Sequence, residues 1–235
     1  MELPRPPRLY LATKNAGKVR EFGRLLNAWF AVVPLPPHVT LPPETGSTFS
    51  ENALFKAGAA FAAVGGHAAV LADDSGLEVD ALGGEPGVMS ARYAGEGAGD
   101  RENVLRLLAE LSGRSDRRGR FVCALVLVLP PDLAQLAGTG LLEARGMLEG
   151  AITLEPRGES GFGYDPVFQP TGWPRTLAEG GPREKDAVSH RGEAVRALTA
   201  LLQESGPAPD GGPLWGDHPV VRRPAGDLPL ADGDS

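Results

Sequence analysis

Cysteine is almost absent from this chain. Of 235 residues only Cys123 carries a thiol, so no intrachain disulfide can form. Lying in Phe121-Val122-Cys123-Ala124-Leu125-Val126, it reads as a small buried hydrophobe rather than a nucleophile. A surplus of positive charge is also missing. The net charge of −7 argues against broad nucleic-acid binding, which needs excess lysine and arginine, yet a few cations can still converge on one nucleotide. No uncharged apolar run is long enough to span a membrane, and prolines near the amino terminus leave no room for a signal-type apolar region. A cytoplasmic protein without membrane or nucleic-acid partners is the expectation. No internal repeat marks a solenoid. An apolar fraction of 42% over this length suits one large domain or two lobes sharing a core.

What is present centres on Leu71-Ala72-Asp73-Asp74-Ser75-Gly76-Leu77-Glu78-Val79. An apolar run that stops at two acids, a hydroxyl and a glycine reads as a buried strand ending at a turn. Open α/β sheets bind ligands at that carboxyl edge. Neighbouring side chains on a strand face opposite ways, so the acids are expected to do different work. Asp74 is assigned to the reaction centre, Asp73 to a supporting or water-bridged contact. The plainer alternative is a solvated turn, since Asp, Ser and Gly are common turn formers.

Upstream, Arg8 to Thr13 reads as a first strand, and Lys14-Asn15-Ala16-Gly17-Lys18 as a turn into a helix bearing Val19, Phe22, Leu25 and Leu26. Strand, glycine-bearing turn and helix can aim backbone N–H groups at an anion. The glycine and lysine spacing is not that of a Walker loop, and an ordinary strand–helix connection is the alternative. Leu35 to Pro43 is a proline-rich exposed link. A second helix follows, with Thr48 and Glu51 at capping-box spacing and Phe49, Leu54, Ala57, Phe61 and Val64 as its buried stripe. Asn52 and Lys56 share one of its faces. Lysine is usually a solvated residue, so Lys56 matters only if that face looks on a site.

Asp100 precedes a helix carrying Val104, Leu105, Leu108 and Leu111, and Ser112 to Gly119 is a charged turn. Phe121 to Leu129 is a central strand covered on both faces. Two further strands are predicted across Gly138 to Glu143 and Ala144 to Ile152. In Gly161-Phe162-Gly163-Tyr164-Asp165-Pro166 the glycines free an aromatic ring to act as a base-stacking platform, or the ring turns into the core. Lys185, His190 and Arg191 crowd the start of a last helix, against its dipole preference, and read as a cationic wall capped by Ser189. Residues 205–235 read as a flexible tail dispensable for chemistry, and 1–7 as an extension of a domain spanning 8–204.

Taken in order, these stretches resemble the inosine triphosphate pyrophosphatase family, the XTP/dITP diphosphatases. The matching elements are Thr13 to Lys18, Glu44-Thr45-Gly46 with Phe49-Ser50-Glu51-Asn52-Ala53, and Ala72 to Leu77. Pro86 to Tyr93, Gly161 to Pro166 and Ser189 to Gly192 complete them. The resemblance implies a two-lobed α/β fold, an elongated mixed sheet flanked by helices with the active-site cleft between lobes. It implies a homodimer, Mg²⁺, and hydrolysis of ITP, dITP or XTP to the monophosphate and pyrophosphate. By position, Thr13, Lys14, Asn15, Ala16, Gly17 and Lys18 would hold phosphate. Glu44 and Asp74 would bind metal, and Asp74 would also accept the proton. Lys56 and Ser75 would contact substrate, Phe162, Gly163, Tyr164 and Asp165 would line the base pocket, and Lys185, His190 and Arg191 would finish it. The alternatives are a Maf-type pyrophosphatase acting on modified pyrimidines and a non-catalytic nucleotide sensor. A substrate panel separates the first, and pyrophosphate release the second.

Overall fold

A computed structural model of the chain describes residues 6–204. The expectations for 1–5 and for the tail at 205–235 lie outside the described residues. One mixed six-stranded sheet runs through an α/β fold. The first strands are β1 (Arg8–Leu11) and β2 (Ala31–Pro34), joined by helix α1 (Ala16–Leu25). Helix α2 (Phe49–Ala63) precedes β3 (Ala69–Val79), and α3 (Asp100–Glu110) precedes β4 (Arg118–Val128). Then come α4 (Pro131–Ala137), β5 (Leu141–Ile152), the short β6 (Phe168–Pro170), α5 (Pro182–Val188) and α6 (His190–Glu204). The sheet order is β2-β1-β3-β4-β5-β6. Strand β1 is parallel to both neighbours, with Leu9 opposite Val32 on β2 and Ala69 on β3, while β6 runs antiparallel to β5.

The described chain divides into two compact units. The first holds residues 6–74, 124–145 and 194–204. Leu9, Leu11, Phe22, Leu26, Leu71, Leu125, Leu127 and Leu142 are buried there. Its helix α2 opens on the predicted capping box, with Thr48 Oγ1 accepting from the Glu51 N–H and Glu51 Oε2 from the Thr48 N–H. The second unit holds residues 75–123 and 146–193. Leu77, Leu107, Leu111, Phe121, Ile152, Tyr164 and Phe168 form its core, where the Phe121 and Phe168 rings lie 4.6 Å apart. Among the described residues no helix is long and apolar enough to cross a membrane.

Several expectations change. Strand β3 does not stop at the acids. It runs on through Asp73-Asp74-Ser75-Gly76 to Val79, and Gly76 is not among the glycines at positive φ. Burial is nearly continuous along that strand, so the carboxylates are set inside the sheet by partners rather than at a turn. Strand β2 was not predicted; it is four residues long, at the sheet edge, where a terminal proline costs no ladder bond. The two strands predicted from Gly138 to Ile152 are one 12-residue strand, β5. Helix α4 fills the span before it, entered by Pro131 and ended by Gly138 at φ 64°.

Helix faces shift as well. The buried side of α2 is Phe49, Asn52, Ala53, Lys56, Ala57 and Ala60, not the Leu54–Phe61–Val64 stripe. Alanines at these positions bring the backbone close and leave room for two polar side chains. On α3, which starts at Asp100 itself, Leu107 is buried while Leu105 is 54% exposed. Lys185 lies in the last turn of α5, where the dipole favours a cation, so only His190 and Arg191 start α6. Ser189 does cap α6, its hydroxyl accepting from the Gly192 N–H.

Candidate active site

In the first unit, α2 faces β3 with two polar residues one turn apart. Lys56 Nζ donates to Glu44 Oε1 at 2.7 Å and to Asp74 Oδ1 at 2.9 Å. Asn52 Nδ2 donates to Asp74 Oδ2 at 3.0 Å, so each oxygen of that carboxylate has its own donor. Burial pushes both acids up and Lys56 pulls both down. The lysine prevails at Glu44, whose carboxyl lies below its usual value. At Asp74 burial and the adjacent negative Glu44 prevail, and its carboxyl lies above the usual value. Burial opposes the charge on Lys56, but Asp73, Asp74 and Glu44 together keep it protonated.

Asp73 takes a different lysine. It is wholly buried and pairs directly with Lys18 Nζ at 2.7 Å, the supporting contact of the two expected alternatives. Lys18 thereby hangs from β3 as well as from α1. Its charge also acts on Glu44 and Asp74. Asn15 is the N-cap of α1, its Oδ1 accepting from the Lys18 N–H at 3.1 Å, while its own N–H donates to Thr13 Oγ1. Thr13 and Asn15 thus shape the helix entry that Ala16 and Gly17 begin. Lys14 is exposed and, with Thr13, Ala16, Arg20, Pro36 and Val39, lines a hollow of about 500 Å³.

A second group of predicted residues converges in the other unit. The Phe162 ring, half-buried, has Lys185 Nζ 4.6 Å and the Arg191 guanidinium carbon 4.9 Å from its centroid. Both distances are within cation–π range. Arg191 also donates to Ser75 Oγ at 2.8 Å. Asp165 accepts from Lys185 Nζ at 2.5 Å and from the Phe162 N–H at 2.9 Å through one oxygen. Burial raises its carboxyl even beside that lysine. Gly161, at φ 84°, admits no side chain, because a Cβ there would meet the same oxygen at 2.1 Å. The Gly163 N–H donates to Asp100 Oδ2 at 2.6 Å.

Residues 9–201 match the Ham1 family. This chain belongs to the Ham1 family. It is 51% identical over 195 residues to the dITP/XTP pyrophosphatase of Halorhodospira halophila, covering 81% of this chain and 94% of that relative. The dITP/XTP pyrophosphatase of Deinococcus deserti is 48% identical, covering 84% and 90%. Among solved structures, a HAM1 protein from Coxiella burnetii superposes with a TM-score of 0.73 at 41% identity, covering 84% of this chain and 99% of that one. The Staphylococcus aureus Ham1 protein gives 0.70 at 39% identity, covering 83% and 97%.

Two of the expected site residues of this Ham1 chain, Tyr164 and His190, are buried. Tyr164 is buried in the core of the second unit, its hydroxyl donating to the Ser90 carbonyl at 2.9 Å, so its ring does not join Phe162. His190 is 1% exposed and stacks on Phe121 at 4.6 Å, with the rings within 10° of parallel. It belongs to a packed layer rather than to an exposed cationic wall. Asn52 was not among the expected site residues, although its place four before Lys56 on one helix face was the available signal.

Proposed function

We propose that this chain hydrolyses deaminated purine nucleoside triphosphates (dITP, XTP and ITP) to the monophosphate and pyrophosphate, clearing them from the nucleotide pool. The observation that carries the reading is the carboxylate of Asp74, gripped at both oxygens and paired through Lys56 with Glu44. Relatives about half identical over nearly their whole length bear the name dITP/XTP pyrophosphatase, which supports the same chemistry.

The donors suit Mg²⁺. Glu44 and Asp74 share Lys56 between them, and the negative charge of Glu44 helps hold the Asp74 carboxyl above its usual value. A hard cation offsets that charge, and Mg²⁺ takes one or two carboxylates while water and phosphate fill the rest of its octahedron. When bound, it neutralises phosphate charge and acidifies water. In this reading Thr13 to Lys18 present a helix amino terminus and two lysines to the phosphates. Ionised Asp74 takes the proton of the attacking water. Lys56 and Lys18 keep positive charge where the leaving pyrophosphate gathers negative charge.

For the base, Phe162 supplies a stacking face, and Lys185 and Arg191 supply donors near it. Hypoxanthine and xanthine carry a carbonyl at C6, which a donor satisfies. Adenine carries an amino group there and leaves that donor unpaired, at about 1–3 kcal/mol per group. A homodimer in the cytoplasm completes the proposal, with analytical ultracentrifugation to test the assembly.

The deciding experiment is a panel of dITP, XTP, ITP, GTP and ATP with and without Mg²⁺, reading pyrophosphate and monophosphate separately. Pyrophosphate from the deaminated purines, only with Mg²⁺, is expected. Orthophosphate as the product, or ATP cleaved as fast as dITP, would overturn the reading.

A further inference from the structure

Asn52 ties together two segments that the proposed reaction needs side by side. Its amide oxygen accepts from the Gly46 N–H at 2.7 Å, and its amide nitrogen donates to Asp74 Oδ2 at 3.0 Å. A backbone N–H can only donate, so it selects the oxygen end of the amide and turns the nitrogen end toward the carboxylate. Gly46 lies two residues beyond Glu44, on the stretch that leads into α2. One turn along the helix, Lys56 repeats the pattern with charge, reaching Glu44 and the other oxygen of Asp74.

The contact at Gly46 is close by construction. A Cβ there would sit 2.7 Å from Asn52 Oδ1 and 2.8 Å from Glu51 Cβ. Only glycine lets this backbone approach the amide without displacing it. Asn52 itself is 1% exposed, and an amide so buried needs its hydrogen bonds. Both ends of this one are in use across the two segments.

We propose that Asn52 is a positioning residue: it clamps the Glu44 segment to Asp74, so that two carboxylates from distant parts of the chain present oxygens to one divalent cation. This rests on the Mg²⁺-dependent reading above. Mutating a group that orients the ligands of a metal typically costs about 10–100-fold in metal affinity or activity.

Three variants separate the two arms of the clamp. Asn52→Ala removes both. Asn52→Asp keeps an acceptor for the Gly46 N–H but sets a carboxylate against Asp74. Gly46→Ala pushes the segment off the amide and spares the bond to Asp74. The measurements are binding of Mg²⁺ alone to nucleotide-free protein by calorimetry, exchange of the residue-46 amide by NMR, and kcat and KM for dITP. Asn52→Ala and Gly46→Ala are expected to bind Mg²⁺ about tenfold or more weakly. They should lose kcat while KM for dITP stays near the wild-type value. The residue-46 amide should exchange faster in Asn52→Ala and Gly46→Ala and stay protected in Asn52→Asp. Where Asn52→Ala does not fold, Gly46→Ala carries the test. Wild-type Mg²⁺ affinity in folded Gly46→Ala would overturn the clamp. Wild-type protein that releases no pyrophosphate would instead sink the functional reading, and the calorimetry and amide exchange would still judge the clamp.

Discussion

Lys56 Nζ stands 2.9 Å from Asp74 Oδ1, and both groups are buried. Lysine alone does not bring the acid down to its usual range, because burial and Glu44 act against it. An acid held in this balance is suited to take up a proton, provided further positive charge arrives with substrate and cation.

Asp74→Asn is expected to lower kcat about 10²–10⁴-fold, the range for loss of a general base. The protein should still fold, as judged by circular dichroism. Both oxygens of Asp74 now face donors, so an amide there must turn its own donor toward Asn52 or Lys56. A modest fall in Tm should therefore accompany the loss of turnover. Turnover within a few-fold of wild type would remove Asp74 from the reaction.

Phe162→Ala should raise KM for dITP about tenfold, in line with ~1–3 kcal/mol for one base stacked on an aromatic ring. Stacking does not discriminate among purines, so KM for ATP should rise in proportion and the preference should persist. Phe162→Trp should restore most of the affinity. Steady-state kinetics with both nucleotides checks this, and an unchanged KM in the alanine variant counts against a stacking role.

Tyr164→Phe tests the assignment of that ring to the core. It removes the bond to the Ser90 carbonyl and should cost about 1–2 kcal/mol in urea denaturation while leaving KM unaltered. Burial raises the Tyr164 phenol above its ordinary value, with the charges of Tyr93 and Asp100 adding to it. The folded state therefore keeps the proton longer than the unfolded chain does. Its contribution is fully present below the unfolded value of about 10 and is lost as pH rises above that value. Wild-type stability should fall more steeply above that pH than the stability of Tyr164→Phe. A changed KM would return the ring to the binding site.

Much of this molecule is local and could be read directly. The capping box at Thr48 and Glu51, the Asn15 entry to α1 and the apolar run of β4 each depend on residues a few positions apart. Helix α4 went unread, although a proline opens it and a glycine closes it. Strand β2 could not be read this way. Four residues ending in proline become a strand only because β1 lies alongside to pair with them.

The sequence by itself determined which chemical groups are available: the acids, the lysines, the glycines that admit close contacts, and an aromatic ring between glycines. Tertiary structure alone decided which of them meet. Asn52 reaches Asp74 across 22 positions and Arg191 reaches Ser75 across 116, and hydrogen bonds exist only where packing sets donor and acceptor in line. His190 and Arg191 show the limit most plainly. They are adjacent on one helix, yet one ring is sealed against Phe121 while its neighbour lies over Phe162. Successive residues of a helix point about 100° apart, and only the packing of α6 fixes which direction faces the core.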